Sequence, residues 1–212
     1  MLESGVVKEL HLNDLETGVY SLWWVIKNIP FALIDRIKYS EPTHKDYFFA
    51  QNIIKQDYQG VDVIEAAWSS LLVNRLAYSG ISKANPLGGK RGKREVLLSR
   101  WNPTDLIKRI EKIHSLSEYI EITQENAIDL IEESYWQEHN SIFIDPPYVN
   151  KRQNLYHCYY RKSDHMELAR VLDSLYYGFP GADIILTYDN NEWLNSLYTY
   201  PQKELIGRRY TA

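Results

Sequence analysis

A single cysteine, Cys158, leaves this chain of 212 residues without a disulfide framework or a cysteine zinc site. The six histidines (His11, His44, His114, His139, His157 and His165) show no paired ligand spacing, so no metal is indicated. Apolar runs are all too short to span a membrane, and Met1-Leu2-Glu3-Ser4-Gly5 is not a signal peptide. The expected compartment is therefore the cytoplasm, with no membrane partner. Net positive charge is lacking too, at −4 overall, which taken alone argues against a polyanion as partner. Internal repeats and low-complexity segments are absent as well. What remains, 44% hydrophobic and 25% charged residues, is an ordinary globular composition, long enough for one sizeable core and an inserted subdomain.

Charge distribution overrides the sum. Between Gly80 and Ser115 stand Lys83, Lys90, Arg91, Lys93, Arg94, Arg100, Lys108, Arg109 and Lys112, opposed only by Glu95, Asp105 and Glu111. Lys151, Arg152, Arg161 and Lys162 form a second basic group. A charge run usually marks a solvated face. Two basic groups flanking one motif-bearing turn favour a polyanion instead.

That turn ends SIFIDPPYV, Ser141 to Val149. Ser141–Ile144 is a β-branched and aromatic run of the kind found in buried parallel strands, and it delivers Asp145 at its carboxyl end. Pro146 and Pro147 fix their own φ and carry no N–H, so the turn is rigid and leaves sheet pairing. Open α/β sheets bind ligands at the carboxyl ends of their strands.

Along the rest of the chain, residues 6–14 read as a strand closing on Asn13-Asp14. Asp14 is either a grip for ribose hydroxyls or the cap of the following helix, and spacing does not choose between them. Helices are expected over 16–37 with a break at Pro30, over 43–57, over 61–78, from Asn102 or Thr104 through Ile113, over 126–134, over 163–177 capped by Ser163 or Asp164, and over 191–198. Strands are expected over 119–123, 182–188 (with Asp189 at its tip) and 203–206. Strands alternating with helices imply a mostly parallel sheet covered on both faces. The segment SKANPLGGKRGKREVL suits a mobile hairpin or loop able to approach a phosphate backbone, a linker being the alternative. It lacks the strand and the Ser or Thr of a phosphate-cradling loop.

The turn after Ser141–Ile144 has a definite chemical use. An adenine amino group is a poor nucleophile because its lone pair is delocalised into the ring. The Asp145 carboxylate and the Pro146 carbonyl can each accept one of its N–H hydrogens, favouring a tetrahedral nitrogen, while Tyr148 offers a stacking face for an extruded base.

NRLAYSGISK at Asn74–Lys83, SRWNP at Ser99–Pro103 and DPPY at Asp145–Tyr148, in this order, resemble the Dam-like family of DNA adenine-N6 methyltransferases. The resemblance covers nearly the whole chain. It implies a Rossmann-like S-adenosylmethionine-dependent methyltransferase sheet with an inserted helical and hairpin target-recognition subdomain. The implied parts are a partial core over 1–42, the insertion over 43–117 and the catalytic core over 118–212. S-adenosylmethionine is the implied cofactor, contacted by Asp14 on its ribose, by Asn126 (where the family usually has aspartate) near its adenine, and by Asp145. Asp145, Pro146, Pro147 and Tyr148 are the implied catalytic group. Double-stranded DNA is the implied partner, met by Asn74, Arg75, Ser79, Lys83, Lys90, Arg91, Lys93, Arg94, Arg100, Lys151 and Arg152. DPPYVNKRQNLYHCYYRKSDHMELARVL, including Asp164-His165, resembles the catalytic loop and following helix, and TYDNN the next strand end.

The sequence departs from the family at its ends. The opening Pro-Gly-Gly-Lys segment and the Phe-x-Gly-x-Gly loop that wraps the cofactor's methionine part are not in it, and Arg208–Ala212 resembles the approach to a final hairpin. The expectation is thus an internal fragment of phage-like origin, lacking first strand and last, its N-terminal segment supplied elsewhere. Restriction-modification is the setting associated with the resemblance. An RNA amino-methyltransferase and a catalytically impaired nucleic-acid-binding remnant are the competing readings.

Overall fold

The computed structural model describes residues 1–137, 139–149, 159–200 and 202–207. It divides into two compact units, one from Met1 to Glu125 and one from Asn126 onward.

The first unit is largely helical. Strand β1 (Leu10–Asn13) leads into α1 (Thr17–Asn28), which starts where the Glu16 carboxylate accepts the Val19 N–H at 2.7 Å. Pro30 separates it from α2 (Phe31–Tyr39), as the sequence implies. A capping box, with Thr43 and Asp46 satisfying each other's backbone N–H groups, opens α3 (His44–Lys55). Asp62 caps α4 (Val63–Leu76). A short α5 (Arg94–Leu97) follows the basic segment, and Asn102 caps α6 (Pro103–His114), with proline in the first turn where its missing N–H costs nothing. Strand β2 (Ile120–Thr123) then pairs in parallel with β1, Leu10 opposite Ile120 and Asn13 opposite Thr123.

Helix α4 is the axis of this unit because it is apolar on more than one side. Ala66, Leu72, Val73 and Leu76 pack with α3 through Tyr47, Ile53 and Ile54. Ala67 and Leu71 pack on the other side with Val25, Leu33, Ile37 and Ile110, from α1, α2 and α6. A helix apolar on both flanks is expected to be enclosed, and this one is.

The second unit begins with α7 (Ala127–Tyr135), capped by Asn126. Strand β3 (Ser141–Ile144), helix α8 (Lys162–Tyr177), strand β4 (Asp183–Leu186) and α9 (Glu192–Leu197) follow. Strands β3 and β4 are parallel, Ile144 opposite Leu186. Their core takes Ile144, Leu168, Leu172, Leu175 and Leu194, while Phe143 and Ile185, paired on the other face, are exposed.

Several expectations are corrected. Among the described residues the sheet is not one continuous layer but two separate parallel pairs, β1–β2 and β3–β4. Residues 6–9 are not strand, since charged Lys8 and Glu9 interrupt the alternation. Residues 203–206 form no strand either, and Leu205 and Ile206 stay exposed. Helix α8 starts one residue early, with Asp164 accepting the Arg161 N–H at 2.7 Å rather than serving as the cap itself. The basic segment contains no two-stranded hairpin. It is a loop closed by one antiparallel bridge, Ala77 to Pro86, and held from beneath. Tyr47 donates its hydroxyl to the Ala84 carbonyl, and Gln51 donates to the carbonyls of Ser82 and Ala84. Both anchors are buried, which rules out a loose linker.

Candidate active site and nucleic-acid interface

At the carboxyl end of β1–β2, Leu12, Asn13, Asp14, Val19, Tyr20, Trp23, Ile122 and Thr123 line a cavity of about 210 Å³. Asn13 braces it. Its carboxamide donates to the Glu125 carbonyl at 3.0 Å and accepts from the Glu125 N–H at 2.9 Å and the Thr123 hydroxyl at 3.0 Å. The Thr123 hydroxyl also meets His11 at 2.7 Å, so the two strand ends form one hydrogen-bonded rim. Asp14 is not the cap of α1, which is Glu16. Its carboxylate accepts the Glu16 N–H at 2.9 Å instead. Asp14 is an exposed residue, yet its surroundings desolvate the carboxylate and raise its pKa, with the Glu16 N–H opposing and the Glu16 charge adding to the rise.

Glu16 ties this rim to the helical body. Its second oxygen accepts the Tyr58 hydroxyl at 2.7 Å, and burial first, then the Glu16 charge, pushes the phenol pKa up. The approach is close. A Cβ at Gly18 would stand 2.0 Å from the Tyr58 hydroxyl and 2.9 Å from Ser70 Cβ, so only glycine fits there.

In the second unit Asp145 is exposed, one residue past β3. The strand register carries on beyond Ile144 and Leu186, because the Thr187 N–H donates to the Ile144 carbonyl at 2.9 Å. That sets Thr187 opposite Asp145, and its hydroxyl donates to Asp145 Oδ1 at 2.6 Å. Pro146 is buried, while Pro147 and Tyr148 are half-buried. Next along the chain from Thr187, Tyr188 meets His165 Nδ1 through its hydroxyl at 2.8 Å. His165 is 2% exposed and boxed by Tyr160, Tyr188 and Trp193. Burial lowers its pKa against the opposing pull of Asp164 and Asp189. Asn126 is exposed at the start of this unit, and its side-chain oxygen accepts the Ile128 N–H at 2.9 Å, as a cap does.

The basic residues divide by what they touch. Lys83, Lys90, Arg91, Lys93 and Arg94 are exposed around the anchored loop, with Asn74 and Ser79 exposed beside it. Arg94 pairs with Glu41 at 2.5 Å. Arg75 behaves differently. Its guanidinium donates twice to the Arg100 carbonyl, at 3.0 and 2.6 Å, and desolvation ahead of neighbouring Arg100 and Arg109 lowers its pKa. Arg100 reaches back to the Ala77 carbonyl at 3.4 Å. Both are half-buried braces of the loop stem. Lys151, Arg152 and Cys158 lie outside the described residues, as do Arg208–Ala212. Among the described residues no group of His, Cys, Asp and Glu could hold a metal ion, and no helix is long and apolar enough to cross a membrane.

Thr187, Asn13 and Glu16 escape sequence reading. Thr187 had a signal, a hydroxyl directly after the apolar run Ile184–Leu186 at the end of a parallel strand. For Asn13 and Glu16 the residues alone offered only proximity to Asp14.

No curated protein matches the chain. The family model described as D12 class N6 adenine-specific DNA methyltransferase matches residues 3–206, nearly the full length, and it embraces both strand ends and the basic loop. The chain therefore belongs to the D12 class N6 adenine-specific DNA methyltransferase family.

Proposed function

We propose that this chain methylates the N6 amino group of an adenine extruded from duplex DNA, using S-adenosylmethionine. The observation that carries the reading is the rigid turn Asp145–Tyr148 at the end of β3, with its carboxylate oriented by a hydrogen bond from the neighbouring strand end.

The β1–β2 cavity suits the nucleoside end of the cofactor. Its acid has a desolvated carboxylate, its walls include Val19, Trp23 and Ile122, and a ribose diol is a pair of donors that an acceptor such as Asp14 can satisfy. The resemblance assigns Asn126 to the contact with the cofactor's adenine. S-adenosylmethionine, when bound, supplies the methyl group from its sulfonium, whose carbon–sulfur electron pair stays with sulfur as the nitrogen–carbon bond forms. Everything else is positioning by the chain. Asp145 and the Pro146 carbonyl accept the two amino hydrogens, which draws the nitrogen lone pair out of the ring, and Asp145 receives the proton on its way to solvent. Pro147 keeps the turn stiff. Tyr148 stacks on the extruded base. The exposed lysines and arginines of the anchored loop grip phosphates, and Lys151 and Arg152 extend the basic footprint by sequence.

The test is methyl incorporation into unmethylated genomic duplex DNA. Asp145→Ala is expected to lose incorporation while retaining DNA affinity, and adenine methylation at the wild-type level in that variant would refute the reading. One observation favours a second reading, a DNA-binding protein with little catalysis. The cavity of about 210 Å³ falls below the roughly 300 Å³ at which ligand pockets usually begin. Calorimetry with S-adenosylhomocysteine separates the two, because tight binding excludes the second.

A further inference from the structure

We infer that Thr187 is a positioning residue for the Asp145 carboxylate, fixing which of its oxygens faces the substrate amino group. This rests on the proposed role of Asp145.

Asp145 is exposed, and a carboxylate at the end of a strand turns about two side-chain bonds unless something holds it. The hydroxyl of Thr187 does so at 2.6 Å, the short distance of a bond to a charged acceptor. Thr187 is itself fixed at three points. Its N–H donates to Ile144 at 2.9 Å, its hydroxyl lies 3.4 Å from the same carbonyl, and the next residue is clamped through Tyr188 to buried His165. A β-branched side chain adds stiffness at χ1. With Oδ1 taken by Thr187, Oδ2 is the acceptor assigned to the adenine amino hydrogen. A carboxylate held in one orientation before the base arrives acts on the reacting complex more than on DNA affinity, since phosphate contacts supply most of the latter.

The experiment compares Thr187→Val, which keeps the shape and deletes the donor, with Thr187→Ser, which keeps the donor, both as full-length chain on unmethylated genomic duplex DNA. Thr187→Val is expected to lower kcat about 10- to 100-fold, the range of a lost hydrogen bond to a charged group, with KM for DNA within about twofold. Thr187→Ser is expected to recover most of kcat. Wild-type kcat in Thr187→Val overturns the inference, as does a serine variant no better than valine. Thr187→Ala, which adds no volume, takes the place of valine should the latter not fold. If the wild-type chain transfers no methyl group, the proposed function falls by itself. The inference is then decided by the crystal structure of the valine variant. An Asp145 carboxylate turned from its wild-type orientation supports it, and an unmoved one overturns it.

Discussion

Among the described residues the two parallel strand pairs end in the same way, with an acid one residue past the strand, yet the strand ends around that acid are braced differently. At β1–β2 the rim is a web. Asn13 makes three hydrogen bonds across to Thr123 and Glu125, and Glu16 links the rim to Tyr58 in the helical body. At β3–β4, among the described residues, the Thr187 hydroxyl steadies the acid, and Phe143 and Ile185 are exposed. The contrast matches what each end is proposed to do. A nucleoside pocket gains from being preformed, because ordering it on binding would weaken affinity. A group that must meet an incoming base needs access, and Asp145 is exposed.

The comparison breaks first in the cores beneath. Leu168 is fully buried in the hydrophobic cluster of the second unit. Leu168→Ala is expected to destabilise by about 2–5 kcal/mol, measured by urea unfolding, because the cavity cannot refill from one small cluster. A cost below 1 kcal/mol would mean that this unit repacks easily and that Asp145 has no firm base. The braced end is challenged by Gly18→Ala. Its Cβ would force Tyr58 away from Glu16, and overpacking of this kind costs about 1–3 kcal/mol. Affinity for S-adenosylhomocysteine should fall with it. Unchanged affinity would show that the rim does not depend on the helical body.

How much of this was legible in the residues depends on the range of the force responsible. The helices were readable because apolar spacing and caps are both local, set within a turn or two of chain. Asn102 was offered as a start and makes the cap bond, while Thr43 and Asp62 make theirs at the starts of helices read from their apolar spacing. Strands β3 and β4 were readable as apolar runs ending at polar residues. The reading of 6–14 as one strand ran too long because charged Lys8 and Glu9 interrupt the alternation, and 203–206, which opens on Lys203 and Glu204, forms no strand either. Basic charge at Arg75 and Arg100 read as nucleic-acid contact, and what the residues did not announce is that both guanidiniums also brace the loop stem through backbone carbonyls. Thr187 with Asp145 and Glu16 with Tyr58 are partners 42 residues apart. No local pattern encodes such pairs.

A smaller effect sharpens the contrast at the rim itself. Asn13→Ala removes three hydrogen bonds from a half-exposed site where water can replace part of what is lost, so about 1–2 kcal/mol is expected by thermal or chemical unfolding. Asn13→Asp keeps the acceptor for Thr123 and the Glu125 N–H and loses only the donation to the Glu125 carbonyl. It should recover roughly half of that, and failure to recover would mean the donation carries the brace.

The smallest expected effect is a pH dependence that belongs to the second unit. His165 is boxed by three aromatic rings, and burial lowers its pKa below the unfolded value of about 6.5 although Asp164 and Asp189 pull the other way. The folded ring is thus neutral. Above pH 6.5 the unfolded chain is neutral at this histidine as well, and its contribution to stability is fully present. As pH falls below 6.5 the unfolded chain takes up a proton that the folded one refuses, so stability is lost progressively down to the folded pKa. Thermal unfolding of the wild type should therefore show Tm falling from pH 7 to pH 5. His165→Gln keeps a polar side chain in the box and removes the titration, so its Tm should fall less steeply over the same interval, whatever its absolute value. Equal slopes would assign the acid sensitivity to carboxylates elsewhere. They would also mean that the clamp behind Thr187 does not loosen with acid, leaving the single hydroxyl on Asp145 as firmly seated at pH 5 as at pH 7.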